Sequence, residues 1–215
     1  ITAAVVLGMQ ACLPSWDSDE HRTVSYGVPE QVRELEIEAH TGGIVVNAGD
    51  GEVHVTEEQN YRNEAPHTIH EVKDGVLRLT YDCTGCGVGY TVRVPSGTKV
   101  RIKQETGGVR LTGLAAEVDA SVETGGVEAT GLTSKNVRLS SQTGGVKADF
   151  AAAPDKVEAT TSTGGVQVKV PSGEAYAVDA RADSGGTDVS IPSQQGAAHR
   201  ITARAETGGV TVSGV

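Results

Sequence analysis

The stretch Glu123-Thr124-Gly125-Gly126-Val127 decides the fold, because the chain contains close copies of it along its length. Thr-Gly-Gly occurs six times, and a seventh copy begins with Ser instead of Thr. From the second copy onward the intervals are 18, 19, 20, 21 and 23 residues. A repeat near this length without helical periodicity indicates a solenoid, in which each repeat forms one rung. The predicted corners are Thr41, Gly42, Gly43; Thr106, Gly107, Gly108; Thr124, Gly125, Gly126; Thr143, Gly144, Gly145; Thr163, Gly164, Gly165; Ser184, Gly185, Gly186; and Thr207, Gly208, Gly209.

Apolar and polar residues alternate on both sides of each corner. Around Thr124 the apolar positions are Val118, Ala120, Val127 and Ala129, and the other copies repeat this spacing. Alternation with a period of two is typical of a β-strand with one buried face. The sequence therefore predicts an all-β, single-domain β-solenoid of stacked two-strand rungs, with a period of about 18–23 residues. Glycine suits the corner because it adopts positive φ without steric cost. The corner Thr shares parity with the buried positions, so we expect a ladder of Thr hydroxyls.

The interval from Thr41 to Thr106 is 65 residues and lacks the regular spacing. Asp74-Gly75 lies between two strand-like segments and predicts a β-hairpin. The polar segment from Glu57 to Pro66 predicts an exposed loop. We expect this region to replace regular rungs with a looser arrangement.

Composition limits the partners. The chain of 215 residues has a net charge of −10 and only 3% aromatic residues. This acidity argues against nucleic acid as a partner and against adhesion to anionic lipid through a basic patch.

The N-terminal residues resemble an export and lipid-attachment signal. Residues 1–11 form an apolar run that is too short to span a bilayer, and we interpret them as a partial export signal. Met9-Gln10-Ala11-Cys12 resembles a bacterial lipobox, which places a lipid on Cys12; the alternative is an ordinary apolar strand with a buried Cys. Residues 12–23 then form the attachment Cys and a polar tether, and residues 24–215 form the β-solenoid domain.

Three groups of residues could carry chemistry. Cys83 and Cys86 predict a local disulfide, with metal-linked or redox-active thiols as alternatives. The histidines at 54, 67 and 70 have weak metal-site spacing, because residues three apart on a strand face opposite sides. Glu105 and Glu123 precede adjacent corners, about 4.8 Å apart in a stack, near the spacing of paired catalytic carboxylates. Exposed carboxylates at a corner are more often solvated, so we expect no catalytic residue, metal or cofactor.

The repeated (Glu/Gln)-Thr-Gly-Gly-Val, the Val92-to-Gly97 turn and the lipobox-like start resemble the bacterial “putative adhesin” domain of unknown function. The resemblance covers about residues 24 to 215. It implies a β-solenoid in envelope proteins and lipoproteins, and it brings no catalytic residues.

These observations predict a non-catalytic, exported binding or scaffold module at the outer face of the cytoplasmic membrane or cell envelope, anchored through Cys12. Its partner would be an envelope protein or a glycan, and end-to-end self-association is a further expectation. The expected binding surface is the region from Glu57 to Cys86 or an uncapped end rung from Val210 to Val215. The alternatives are a carbohydrate-active solenoid enzyme that uses Glu105 and Glu123, and an envelope-stress signalling module.

Overall fold

The computed structural model describes residues 19–215, which fold into two β-sheets. Among these residues no helix has the length and apolar character of a membrane span. The strands are β1 Glu20–Val28, β2 Glu34–Thr41, β3 Ile44–Ala48, β4 Val53–Tyr61, β5 His67–Lys73, β6 Val76–Asp82, β7 Gly87–Val94, β8 Lys99–Thr106, β9 Val109–Thr112, β10 Val118–Thr124, β11 Val127–Leu132, β12 Asn136–Thr143, β13 Val146–Phe150, β14 Lys156–Thr163, β15 Val166–Val170, β16 Tyr176–Ser184, β17 Thr187–Val189, β18 His199–Thr207 and β19 Val210–Gly214.

Each Thr-Gly-Gly corner joins a strand of one sheet to a strand of the other, so each repeat is one rung. Sheet A has the order β1-β4-β7-β3-β9-β11-β13-β15-β19-β17, and sheet B has the order β16-β18-β14-β12-β10-β8-β2-β6-β5. Neighbouring rungs pair in parallel with equivalent residues opposite each other, as in Thr124↔Thr143 and Val127↔Val146. The predicted all-β solenoid is confirmed.

The apolar columns form the core between the sheets. Val118, Ala120, Val127 and Ala129 are at most 1% exposed, and the equivalent residues of most other rungs are also buried. Side chains on the outer faces form ion pairs between rungs, such as Arg101–Glu36 at 3.0 Å and Arg138–Glu158 at 3.1 Å. These pairs join opposite charges on adjacent strands, which fixes the register of the stack.

The order of the rungs differs from the order of the chain at one end. The last rung, β18 and β19, lies between the Thr163 rung and the Ser184 rung. The expectation of an end rung at Val210 to Val215 is therefore wrong, because β19 has β15 on one side and β17 on the other. The end rung of the described chain is the Ser184 rung.

The other end is closed by antiparallel strands. The β5–β6 hairpin forms as predicted, with positive φ at Asp74 and Gly75. Strands β6 and β7 stack in parallel on the Thr41 rung, so they form an eighth rung whose corner contains the disulfide Cys83–Cys86. Strand β4 pairs antiparallel with β7, and β1 pairs antiparallel with β4.

Two predicted boundaries near this end need correction. The first half of the segment expected to be an exposed loop from Glu57 to Pro66 belongs to β4, and its Glu57 and Gln59 side chains are only 1% and 3% exposed. The Glu57 carboxylate can be buried because the Tyr26 hydroxyl and the Gln59 amide both donate hydrogen bonds to it. Strand β1 begins at Glu20, four residues before the expected start of the domain, because it pairs with β4 along its whole length. The predicted signal and Cys12 lie outside the described residues.

Candidate functional site

The first glycine of each corner is required by the fold. The first glycines of the seven corners have φ between 136° and 146°, a region that other residues rarely adopt. A Cβ on Gly107 would lie 1.7 Å from the Gly42 carbonyl oxygen, and one on Gly125 would lie 2.0 Å from that of Gly107. The rungs thus stack backbone against backbone at this position, and only glycine fits.

The second glycine has no such requirement. Its φ lies outside the left-handed region in all seven corners. A Cβ on Gly108 would lie 3.8 Å from the Gly126 carbonyl oxygen, and one on Gly165 would lie 3.6 Å from that of Gly209, which are ordinary contacts. The tightest case is Gly126, at 3.2 Å. Packing within the chain therefore does not explain why this position is always glycine.

The second glycines form the floor of an open groove of about 870 Å³ along sheet A. The floor runs from Gly43 to Gly209 across six rungs, and five strand spacings give a length of roughly 24 Å. The side chains beside the floor stand four residues after each corner Thr. They are Val45, Arg110, Glu128, Lys147, Gln167 and Thr211.

The backbone of the groove floor is already hydrogen-bonded within the protein. The Gly126 carbonyl accepts from the Val109 N–H at 2.9 Å, and the Gly145 carbonyl accepts from the Val127 N–H at 2.9 Å. A ligand in the groove would therefore contact glycine CH₂ groups on the floor, and its hydrogen bonds would come from the side chains along the groove.

Charged side chains in the groove are paired with each other. Lys147 Nζ lies 3.1 Å from Glu128 Oε1, and Arg110 Nε lies 3.7 Å from Glu128 Oε2. The hydrogen bond from Lys147, together with its charge, lowers the pKa of the Glu128 carboxyl below its ordinary value, and Arg110 adds a smaller effect. The cluster carries one more positive than negative charge and presents both donors and acceptors.

The expected ladder of Thr hydroxyls is wrong, because the corner Thr side chains are exposed. The buried position lies two residues earlier, and some rungs place a polar residue there. Ser141 Oγ donates to the Gly125 carbonyl at 2.8 Å, and Thr161 Oγ1 donates to the Gly144 carbonyl at 2.7 Å. Gln104 Nε2 likewise donates to the Gly42 carbonyl at 3.0 Å. These side chains tie the first glycines at positions 42, 125 and 144 to the next rung.

The structure does not bring the suggested catalytic pair to a cleft. Glu105 lies at the end of β8, beside the corner, where its Oε1 is 2.9 Å from His40 Nδ1, and both side chains are more than half exposed. Glu123 is exposed one rung further along the stack. The paired corner carboxylates thus face solvent and do not share an enclosed space.

The histidines with weak metal-site spacing are separated. His54 lies on β4, whereas His67 and His70 lie on β5 in the other sheet. His70 stacks against Tyr26, with ring centroids 4.5 Å apart, which links the two edge strands of the closed end. Among residues 19–215, no group of three or more His, Cys, Asp or Glu side chains is arranged to hold a metal ion.

A buried polar cluster at the closed end escaped prediction. The Glu57 carboxylate accepts from the Tyr26 hydroxyl at 2.8 Å and from Gln59 Nε2 at 2.9 Å. Burial, followed by the hydrogen bond to Glu57, raises the pKa of Tyr26, and burial also raises the pKa of Tyr90. The cluster is interior to the closed end, so it stabilises that end and presents no chemistry at the surface. Polarity made this segment look exposed, although Glu57 and Gln59 continue the alternate inward positions of Val53 and Val55.

The comparisons with known proteins agree with this architecture. A family model described as Toastrack DUF4097 matches residues 28–213. No curated protein matches the chain.

Solved structures show the same fold. The crystal structure of a “putative cell adhesion protein” from Clostridium sporogenes ATCC 15579 has a TM-score of 0.59 and 12% identity, covering 91% of this chain and 100% of that chain. That of a “putative adhesin” from Bacteroides fragilis NCTC 9343 has a TM-score of 0.55 and 16% identity, covering 93% of this chain and 99% of that chain. At these identities the likeness concerns the fold, and function must be argued from the site.

Proposed function

The chain belongs to the Toastrack DUF4097 family, and from this premise we propose that it is a non-catalytic, adhesin-like module that binds an extended glycan. The observation that carries the proposal is the glycine-floored groove on sheet A. The neighbouring adhesin-type structures support a surface role for the fold.

The dimensions of the groove favour a chain-like ligand. It is open along roughly 24 Å and has the same floor at every rung, so it can contact a polymer at repeated intervals. A compact small molecule is usually held in a concave pocket that buries most of its surface, and this groove is open along its length.

The chemistry of the groove favours a polyhydroxylated chain over a peptide. An extended peptide gains affinity mainly from free backbone groups at a sheet edge, whereas the floor carbonyls here are already bonded. Arg110, Glu128, Lys147 and Gln167 provide donors and acceptors that suit hydroxyl groups. Side chains on the floor would lift the ligand away from these groups, which explains a glycine that packing does not require.

We further propose that the protein is exported and held at the cell envelope by a lipid on Cys12. The lipobox-like Met9-Gln10-Ala11-Cys12 supports this attachment. Strand β1 fits this attachment, because its first residue, Glu20, lies at the closed end of the stack, away from most of the groove. A lipid there would hold the groove beyond the membrane surface.

The test is binding to a panel of bacterial and host polysaccharides by co-sedimentation and calorimetry. The double variant Gly108→Val and Gly165→Val fills the floor without entering the left-handed region, so it should fold normally. We expect it to lose at least tenfold in affinity for any glycan that the unmodified protein binds. The matched control is Ser121→Val with Ser140→Val, which adds apolar atoms to sheet B and should bind normally.

Two results would contradict the proposal. One is equal binding by the groove variant and the control, which would place the ligand elsewhere. The other is cleavage of the bound glycan that is lost in Glu105→Gln, which would favour the carbohydrate-active enzyme.

A further inference from the structure

The end formed by the Ser184 rung is only half covered. Inward side chains of inner rungs are fully buried, whereas Ala180 and Ala182 are half-buried and Val189 is 37% exposed. The loop after β17 covers the start of β16: the Gln194 N–H donates to the Tyr176 carbonyl at 2.8 Å. Beyond Val178, no part of the described chain gives the edge of β16 such cover. Terminal rungs of solenoids normally carry a cap.

The backbone of this uncovered segment points away from the stack. The Val178 N–H donates to Ser193 Oγ at 3.3 Å on the side opposite β18. Residues two apart on a strand orient their backbone groups alike, so the N–H and C=O of Ala180 and Ala182 face the same side. Within residues 19–215, β16 has a strand along its length on one side only. Such an edge accepts an added strand.

We propose that this surface binds a second copy of the same chain, with the two β16 strands antiparallel around Ala182. In this register Arg181 lies opposite Asp183 of the second copy, and the two-fold axis repeats the pair. Ala182 faces its own equivalent, which is small enough for close approach. Arg181 now pairs with Asp179 at 3.1 Å, and Asp179 also holds Arg204 at 2.5 Å. Arg181 can therefore be shared without leaving Asp179 unpaired.

Other antiparallel registers fit less well. Pairing centred on Ala180 would place the second strand where Ser193 and Gln194 already lie against Tyr176 and Val178. Pairing centred on Arg181 would place two arginines opposite each other, which destabilises a strand pair. The uncovered length of the edge and its charges therefore select the same register. A strand of another protein would have to supply this charge pattern, whereas β16 carries it already.

Self-association at the Ser184 rung could join copies that are attached to two facing surfaces, and this role rests on the proposed surface attachment. Strand β1 lies at the far end of sheet A, nine strand spacings or roughly 43 Å from β17. Two copies joined at their Ser184 rungs would thus have their β1 strands at opposite extremes. Copies attached through their N-termini to facing surfaces could meet in this way, whereas copies on one surface stand side by side.

The test couples the 215-residue chain to beads through its N-terminus and follows bead aggregation by light scattering. Self-association of the free chain is measured by sedimentation. We expect Arg181→Asp alone and Asp183→Arg alone to weaken association about tenfold, because two symmetric pairs change from attraction to repulsion. An equimolar mixture of the two variants should restore association, since every facing pair is then of opposite charge. Arg22→Asp, on β1 at the closed end, is the matched control and should leave association unchanged.

Three results would overturn the proposal. They are no association of the unmodified chain as its concentration is raised, single variants that associate normally, and a mixture of the two variants that does not restore association. Amide exchange gives a fourth. Protection of Ala180 and Ala182 that does not change with concentration would mean that another part of the same chain covers the edge. No glycan is present in these assays, so their outcome is independent of glycan binding.

Discussion

The two glycines of one corner should respond in opposite ways to the same substitution. Gly107 has φ of 140°, and a Cβ there would lie 1.7 Å from the Gly42 carbonyl oxygen. Gly108 is next in sequence, has no such φ, and its Cβ would lie 3.8 Å from the nearest atom. Alanine at the two positions therefore adds the same methyl group in two different environments.

The expected magnitudes follow from these environments. Alanine at Gly107 is forced into a sparsely populated conformation, which costs about 1–3 kcal/mol, and the overlap with backbone adds to this cost. Alanine at Gly108 reduces the freedom of the unfolded chain and should stabilise the protein by about 0.4–1 kcal/mol. At about 2–4 °C per kcal/mol for a domain of this size, Gly107→Ala should lower the melting midpoint by several degrees or more. Gly108→Ala should raise it slightly.

Thermal and urea unfolding followed by circular dichroism measure both effects. The two variants have the same composition, so the comparison isolates the position of the methyl group. Equal shifts in midpoint, or a larger loss for Gly108→Ala, would refute the assignment of the first glycine to stacking and the second to the groove.

Three further predictions concern the anchor, the corner carboxylates and the groove charges. Expressed with its full signal, the protein should enter the detergent phase on partitioning, and Cys12→Ser should keep it aqueous. Glu105→Gln should leave the melting midpoint and glycan binding unchanged, because the carboxylate is exposed beside His40; loss of either would require a role for it. Lys147→Met should remove the cause of the lowered Glu128 pKa, so its small destabilisation should be present at neutral pH and vanish as the pH falls through that pKa in the folded protein. A difference that grows in acid would contradict this sign.

The sequence was sufficient to predict the structure of each rung, but not the order in which the rungs stack. Spacing around Thr124 identified the inward residues, because a strand with one buried face needs alternation and a corner needs glycine. The order of stacking depends instead on which rung fits beside which, and every rung presents nearly the same apolar column. Chain order was therefore a natural assumption, and the insertion of β18 beside β14 violates it.

The polar interior limited prediction in a different way. Ser141 and Thr161 are inward yet polar, and each donates to a glycine carbonyl of the preceding rung. Glu57 is inward because Tyr26 and Gln59 donate to it from within the closed end. These side chains stand at inward positions of the alternation, but their polarity alone assigns them to solvent. Apart from Gln59, the partners that allow burial lie far away in the sequence. The same holds for the groove, which exists only where second glycines of six rungs align.

The two ends of the stack have opposite physical properties, and this asymmetry gives the molecule a direction. At the closed end, antiparallel strands cover the last rung, and Tyr26 stacks on His70 across the two sheets. At the other end, the Ser184 rung leaves Val189 exposed, and within residues 19–215 the backbone of Ala180 has a strand on one side only. A solenoid needs a cap at each terminus to remain soluble as a monomer, and residues 19–215 supply one complete cap. Because β18 and β19 are inserted inside the stack, the incomplete end is the Ser184 rung, which is the part of the fold most distant from β1. In a protein attached near β1, this end would meet a partner on another surface first.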